Sequence, residues 1–393
     1  MSTLIELKER EQKRQDAIER HNPASFDTED NSTETNTLFH RWIQTANNPN
    51  EAMFVRTGET IESFLKLLEE CRPVLSSQRK GKSAKLNPCD SLLLLLAYYR
   101  HYQTSEELAI TTGSSVTTIQ DTIIRTATRI APIIQANYLS LPTLQQLKTE
   151  IKPASPLPDA VVIVDSVFFP STAPMATFPA KKSWFSFKHH QYGVKYQILH
   201  SRSGRAISTS NLNLGSESDV SIYRSEIHDL TVLKQERSLE VIGDKGYQGS
   251  DDFQGIKTAT PTKLSGKMTM QQVDMNKIIG KQRVLCENFY GRLKNRYRIM
   301  SDLFRGDVAS HKIHFVNCAA LTNRNILTDP LRSTDREFLL QIYASQQEEG
   351  EMKTVKNNKR RKEHYEKRKA KRHKLTAAHL AKVNVDVEHV SSL

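Results

Sequence analysis

The chain has 393 residues, of which 37% are hydrophobic and 25% charged, and its net charge at pH 7 is +12. This composition is typical of a globular protein with two or three domains and polar extensions. The longest apolar run, Leu92–Ala97, is too short to cross a bilayer. The four cysteines are far apart and form no CxxC pair, which argues against a zinc ribbon or a disulfide framework.

Polarity and periodicity divide the chain into five segments. Residues 4–20 could form a charged helix, and three prolines fall within the nine residues from 151 to 159. The predicted order is a polar, partly disordered segment (1–50), a helical domain (51–150), a Pro-rich linker (151–159), an α/β domain (160–345) and a basic low-complexity tail (346–393).

The helical domain contains a pattern that can be interpreted as a helix-turn-helix. Thr104 or Ser105 would cap a short helix, Gly113 would form the turn, and Ser114 or Ser115 would cap the second helix. An ordinary helical hairpin would show the same pattern. Four residues of the second helix could reach bases or phosphates: Thr117, Thr118, Gln120 and Arg125.

The α/β domain is predicted from strand patterns followed by alternating helices and strands. Strands are expected at 160–169, 192–201, 205–214 and 239–242, and helices at 217–236 and 278–300.

Two of these strands bring a carboxylate to the end of an aliphatic run. Asp165 follows Val161–Val164, and Asp244 comes shortly after Val241 and Ile242. A partly desolvated carboxylate is costly unless it is paired. Each aspartate therefore either caps local backbone or helps to hold a cation. Ligands bind at such strand ends in open α/β sheets, and hard oxygen donors suit Mg²⁺ or Mn²⁺.

A third acidic residue lies on the helix predicted at 278–300. At 100° per residue, Arg283, Glu287 and Lys294 share one face of this helix. An exposed Arg–Glu pair at this spacing is also common on solvated helices. The two aspartates upstream favour a site that includes Glu287.

In this order, Asp165, Asp244 and Glu287 resemble the acidic triad of DDE-type transposases. The segment GDKGYQG (243–249) resembles the block around the second acid in bacterial insertion-sequence and eukaryotic Harbinger-type transposases. NLGSESD (213–219) resembles their intervening block, and residues 283–305 resemble the block around their glutamate. The resemblance extends over about residues 86–327.

Two departures from the family pattern are visible. One branch has the signature Tyr-x2-Arg-x3-Glu-x6-Lys, which Arg283, Glu287 and Lys294 match, but Gly280 replaces its tyrosine. The segment after Asp165 also lacks the Gly-Thr or Gly-Lys that often follows the first acid.

The resemblance implies an RNase H-like mixed sheet flanked by helices, preceded by an all-α helix-turn-helix domain. It also implies a transposase or transposase-derived endonuclease, with two Mg²⁺ or Mn²⁺ ions about 4 Å apart between the three carboxylates. Arg283 and Lys294 would support the site, and Asp219 would be a supporting or turn residue. The implied partner is double-stranded DNA at transposon ends and targets, bound by a homo-oligomer, with neither a membrane nor a small-molecule cofactor.

Further DNA contacts are predicted from basic clusters. Lysines alternate with aromatic residues in 181–197, which could clamp DNA or form a β-hairpin with solvated lysines: Lys181, Lys182, Lys188 and Lys195. Twelve Lys/Arg against two Glu between residues 353 and 374 carry +10 of the net charge, and this tail includes Arg360, Arg361 and Lys362. Such a tail is typical of a DNA-binding arm or a nuclear localisation signal, which would place a eukaryotic protein in the nucleus and a bacterial one in the cytoplasm or nucleoid.

Two other functions remain open at this point. The chain could be a domesticated, sequence-specific DNA-binding protein with a catalytically silent nuclease fold. It could also be an RNase H-like hydrolase that cuts without integration.

Overall fold

The computed structural model describes residues 37–76, 86–175, 177–226, 239–250, 255–263 and 268–390. Met1–Ser333 form one compact unit, and Thr334–Leu393 form a second. The charged helix expected at residues 4–20 lies outside the described residues, as does the second half of the helix expected at 217–236.

Before the sheet, the described residues form six α-helices. They are α1 (Pro49–Thr57), α2 (Ile61–Leu75), α3 (Pro88–His101), α4 (Ser105–Thr112), α5 (Val116–Tyr138) and α6 (Leu144–Thr149). Each begins after a polar residue whose side-chain oxygen accepts the backbone amide three residues further on, which fixes where the helix starts. These caps are Asn48, Thr60, Asn87, Thr104, Ser115 and Thr143.

The sheet that follows mixes parallel and antiparallel pairs. Its strands are β1 (Ala160–Pro170), β2 (Phe185–Ser186), β3 (Gln191–Ser201), β4 (Ala206–Thr209), β5 (Asn213–Leu214), β6 (Glu240–Ile242) and β7 (Lys257–Ala259). The order across the sheet is β2-β3-β1-β6-β7, with β4 and β5 also paired to β3. β1 is antiparallel to β3 and parallel to β6, so it lies where the two halves of the sheet meet.

Helices flank this sheet. They are α7 (Phe178–Trp184), α8 (Asp219–Ser225), α9 (Met270–Arg296) and α10 (Val308–Thr328). A mixed α/β sheet flanked by helices is consistent with the RNase H-like arrangement expected from the resemblance. No helix in the described part of the chain has the length and hydropathy needed to cross a membrane.

The main hydrophobic core is shared by the N-terminal helices and the sheet. Leu92–Leu95 of α3 are fully buried, because the five consecutive leucines leave this helix no polar face. Tyr196 of β3 stacks on Phe315 of α10, with ring centroids 4.1 Å apart, in the same core. The helices before residue 150 therefore share one hydrophobic core with the sheet and α10.

A separate apolar cluster joins α9 to the two inner parallel strands. Ile163 of β1, Ile242 of β6, and Leu285 and Cys286 of α9 are buried together. This packing fixes the middle of α9 against the region where β1 and β6 pair.

The second unit consists mainly of one long helix, α11 (Arg336–Val390). The backbone of the basic tail is thus helical through Val390. Arg360, Arg361 and Lys362 have exposed side chains on it.

Candidate active site

Asp165 lies inside β1 rather than at its end. The aliphatic run Val161–Val164 is fully buried, as expected, but β1 continues to Pro170. The strand continues because β3 pairs with it along its whole second half, with Asp165 opposite Ile198. What ends near Asp165 is the pairing with β6.

The register of β1 and β6 brings the two aspartates side by side. Their last parallel pair is Ile163 with Ile242. Asp165 and Asp244 each follow that pair by two residues. Because neighbouring strands are about 4.8 Å apart, side chains at matching positions of two strands are close neighbours.

Each aspartate uses one carboxylate oxygen locally and turns the other to a common cation. Asp165 Oδ1 accepts the Ser166 amide at 3.0 Å, and Asp244 Oδ1 accepts the Gly246 amide at 2.7 Å. The two Oδ2 atoms lie 3.8 and 3.7 Å from Nη2 of Arg283. Asp244 therefore both caps a turn and faces a positive charge.

The environment of Asp165 disfavours its charged form. Burial raises the pKa of its carboxyl to about 6, and the nearby charges of Asp244 and Asp219 raise it further. Arg283 lowers this pKa, but less than burial raises it. A carboxylate in this position gains from any additional positive charge beside it.

Asp219, the first residue of α8, borders the pair. A Cβ at Gly246 would lie 2.8 Å from Asp244 Oδ1 and 2.9 Å from Asp219 Oδ2, so a side chain there would collide with both carboxylates. Asp219 itself forms an ion pair with Lys195 at 3.1 Å. Asp219 therefore lies close to Asp244.

Lys195 does not project into solvent, contrary to the predicted DNA contact. Its ammonium group donates to the Glu217 carbonyl at 2.7 Å and to Asp219, and its side chain is only 15% exposed. The nearby carboxylate and carbonyl fix it inside the fold.

Helix α9 carries the other predicted site residues. Arg283 contacts both aspartates, and Glu287 follows it by one helical turn with an exposed side chain. Lys294 contacts the second half of β1. Its ammonium group lies 3.4 Å from the Phe168 carbonyl and 5.4 Å from the centre of the Phe169 ring, and burial lowers its pKa.

The oxygen atoms at this site suit a hard divalent cation. The two Oδ2 atoms already face one positive group, and carboxylate oxygens are preferred ligands of Mg²⁺ and Mn²⁺. Within the described residues, however, no three His, Cys, Asp or Glu side chains are spaced to hold a metal ion as they stand. Glu287 would have to turn inward to join Asp165 and Asp244.

One pair of residues beside the acids was missed from the sequence. The hydroxyls of Ser166 and Tyr247 lie 2.9 Å apart, and Tyr247 is fully buried. Both residues stand within three positions of an acid, in VDS and GDKGY, and that proximity was the available signal.

Comparison with known proteins shows what the chain is similar to. Residues 164–323, which include Asp165, Asp244 and Glu287, match the family described as DDE superfamily endonuclease. The chain is also 25% identical over 236 residues to a probable transposase for insertion sequence element IS702 from Microchaete diplosiphon. That match covers 58% of this chain and 77% of the relative. The predicted resemblance to the DDE-type transposase family is confirmed by both matches.

The matched DDE segment begins after the helices that carry the predicted base contacts. α4 and α5 are joined by Gly113, which has a left-handed φ of 71°, and Ser115 caps α5 as expected. Thr117 and Gln120 are exposed and Arg125 is half-buried. Thr118 is only 8% exposed and its hydroxyl bonds Ser115, so it stabilises the start of α5 and does not present a surface for DNA.

The lysine-rich segment lies within the matched DDE region. Lys182 and Lys188 are exposed, and Lys181 is half-buried at the end of α7. Phe187 is 65% exposed. Its ring packs edge to face against that of Phe185, with the ring centroids 5.3 Å apart. β2 and β3 pair antiparallel here, which is the β-hairpin alternative.

Proposed function

We propose that the chain is a DNA transposase or transposase-derived endonuclease that cleaves, and in transposition joins, DNA phosphodiester bonds. The observation that carries this proposal is the pair of Oδ2 atoms of Asp165 and Asp244, which face one cationic group from matching positions on adjacent strands. The name of the insertion-sequence relative supports DNA as the substrate.

In this proposal Asp165, Asp244 and Glu287 hold two Mg²⁺ or Mn²⁺ ions. When bound, such ions activate water or a DNA 3′-hydroxyl and stabilise the leaving oxygen. The two aspartates supply Oδ2, because each Oδ1 is already fixed by a backbone amide. Glu287 completes the set from α9, which packs on both strands through Leu285 and Cys286.

The surrounding residues orient these acids. Ser166 and Tyr247 connect the backbone segments that carry the two aspartates. Lys195 offsets the charge of Asp219, so that this third aspartate adds less repulsion to the pair. Double-stranded DNA would be bound by basic residues of the hairpin and the tail, in a homo-oligomer assembled on the DNA. In a eukaryote the tail would also direct the protein to the nucleus.

The test is metal-dependent cleavage by the full-length protein. DNA that carries the element ends should be nicked or cut with Mg²⁺ or Mn²⁺ and remain intact with EDTA. Asp244→Asn should lose cleavage but keep DNA binding, because its amide oxygen can still cap Gly246 while one metal-binding charge is gone.

Asp274→Asn is the matched control. This aspartate is exposed on α9 and pairs only with Lys277 among the contacts described, so cleavage should be unchanged. If Asp244→Asn cleaved DNA at the normal rate, Asp244 would not be an essential ligand. If the wild-type protein bound DNA specifically but never cut it, the silent-nuclease alternative would replace this proposal.

A further inference from the structure

Arg283 lies between the two strand aspartates. One nitrogen, Nη2, is 3.8 Å from Asp165 Oδ2 and 3.7 Å from Asp244 Oδ2. Its Nε atom is buried and has no hydrogen-bond partner among the described residues. The guanidinium is therefore held to the acids mainly by charge.

A second arginine on the same helix forms a short, hydrogen-bonded ion pair, which can be compared with the contacts of Arg283. Arg296 Nη2 lies 2.6 Å from Glu59 Oε1 and also donates to the Gly58 carbonyl. Charge-assisted hydrogen bonds of this kind are typically about 2.7–2.9 Å long and strong. At 3.7–3.8 Å, Arg283 lacks these bonds, so its removal from the acids breaks no short hydrogen bond to them.

The charge balance of the site leaves the two aspartates under-neutralised. Lys195 pairs with Asp219 at 3.1 Å, and within the described part of the chain Arg283 is the one cation that pairs with Asp165 and Asp244. A single positive charge thus serves two carboxylates. A divalent cation would neutralise them better, but it cannot share the space between the Oδ2 atoms with a guanidinium without strong repulsion.

We propose that Arg283 is a resident counter-ion for Asp165 and Asp244, and that a divalent cation must displace it to bind. Arg283 thereby keeps the two acids together in the metal-free protein and weakens metal binding until it moves aside. This inference rests on the proposed metal site at the two aspartates. It assigns Arg283 a positioning role: the arginine holds the two acids in place first, and the metal ion replaces it afterwards.

The experiment measures the affinity of the full-length protein for Mn²⁺ in the absence of DNA. The electron paramagnetic resonance signal of free Mn²⁺ reports how much of the ion remains unbound. Arg283→Gln should bind Mn²⁺ about tenfold more tightly than wild type, because a competing charge within 4 Å of both acids is gone. Arg283→Lys keeps that charge and should stay within about threefold of wild type. Unchanged or weaker binding by Arg283→Gln, or equally tight binding by Arg283→Lys, would overturn the proposal.

Arg292→Gln is the matched control. Arg292 lies on the same helix with the same 22% side-chain exposure, but its ion pair is with Asp329. The Mn²⁺ affinity of Arg292→Gln should equal that of wild type. A tightening as large as that of Arg283→Gln would show a general charge effect and contradict a specific counter-ion.

The melting temperature is a second readout, and it also applies if Arg283→Gln is less stable than wild type. In EDTA, Arg283→Gln should melt below wild type, because the two acids face each other without a counter-ion. Mn²⁺ should raise the melting temperature of Arg283→Gln to at least the value that wild type has in EDTA. If Mn²⁺ did not do so, the proposal would also be overturned.

Two further variants separate this inference from the proposed function. Asp165→Asn and Asp244→Asn should each weaken Mn²⁺ binding in the wild-type background. If they leave it intact, the metal site itself is wrongly assigned. If they abolish it while Arg283→Gln has no effect, only the counter-ion role fails.

Discussion

The hydroxyl groups of Ser166 and Tyr247 lie 2.9 Å apart and join β1 to the turn that follows β6. Ser166 directly follows the first aspartate, and Tyr247 comes three residues after the second. This hydrogen bond therefore fixes the two acid-bearing segments relative to each other.

Tyr247→Phe should lower metal-dependent cleavage because it removes this bond while keeping the buried ring. The free energy of unfolding should fall by about 1 kcal/mol. Tyr223→Phe is the control, since Tyr223 is equally buried and its hydroxyl bonds Thr258 at 3.3 Å and not Ser166. It should lose similar stability and retain cleavage. Equal effects of both variants on cleavage would remove the positioning role of Tyr247.

The raised pKa of Asp165 predicts a pH-dependent stability. The folded pKa is about 6 against an ordinary value of 3.8, so the folded protein keeps a proton that the unfolded chain has lost in this interval. This difference in pKa contributes on the order of 3 kcal/mol to the unfolding free energy. The contribution is fully present below about pH 4 and is lost as the pH rises through about 6.

Urea unfolding in EDTA measures this effect. The stability of wild type should decline from pH 4 to pH 6 relative to that of Asp165→Asn, which carries no titrating carboxyl there. Parallel profiles for the two proteins would show that Asp165 is not desolvated as the structure indicates.

Glu59 is expected to contribute strongly to stability. It is 5% exposed and pairs with Arg296 at 2.6 Å and Arg324 at 3.2 Å. Glu59→Ala leaves two poorly solvated arginines without their carboxylate and should cost about 3–5 kcal/mol of unfolding free energy. Glu62→Ala removes an exposed i,i+4 pair with Lys66 and should cost less than about 1 kcal/mol. Comparable losses in denaturant titrations would contradict this difference.

Two glycines should respond to alanine in opposite directions. A Cβ at Gly193 would lie 2.2 Å from the Phe169 carbonyl, whereas a Cβ at Gly280 meets nothing within 4 Å. Gly193→Ala should therefore destabilise the fold and disturb the pairing of β1 with β3. Gly280→Ala, in the middle of α9, should raise the unfolding free energy by about 1 kcal/mol without changing cleavage. A stabilising Gly193→Ala would show that the β1–β3 contact is looser than described.

The tail and α5 should affect DNA binding differently. Deleting residues 353–393 should weaken binding to all DNA and flatten its salt dependence, because basic arms release counter-ions from phosphates. Replacing Gln120 and Arg125 with alanine should reduce the preference for element ends over random DNA, by about 1–3 kcal/mol per lost base contact.

Thr118→Ala serves as the control for α5. The Thr118 hydroxyl bonds Ser115, so its removal should lower stability and leave sequence preference unchanged. If the tail deletion abolished sequence preference while the α5 variant kept it, the two assignments would have to be exchanged. The tail deletion also tests the nuclear signal, because a tagged protein should then remain in the cytoplasm.

Much of the fold could be predicted from local pattern. The leucine run of α3, the aliphatic run before Asp165 and the caps at Thr104 and Ser115 depend on residues close in sequence. The pairing of Lys195 with Asp219 could not be predicted, because the two residues belong to different elements with no fixed spacing. Nor does helical spacing alone say which neighbour a side chain meets, and Lys294 turned out to contact Phe168.

The register of β1 and β6 has a consequence for recognising distant relatives. Asp165 and Asp244 are 79 residues apart, yet their alignment depends only on each standing two residues beyond the pair Ile163–Ile242. Insertions in the connections between these strands would lengthen the gap without moving either acid. Two aliphatic runs, each with an aspartate two residues beyond its last paired position, are therefore a more durable search pattern than any fixed spacing between the acids.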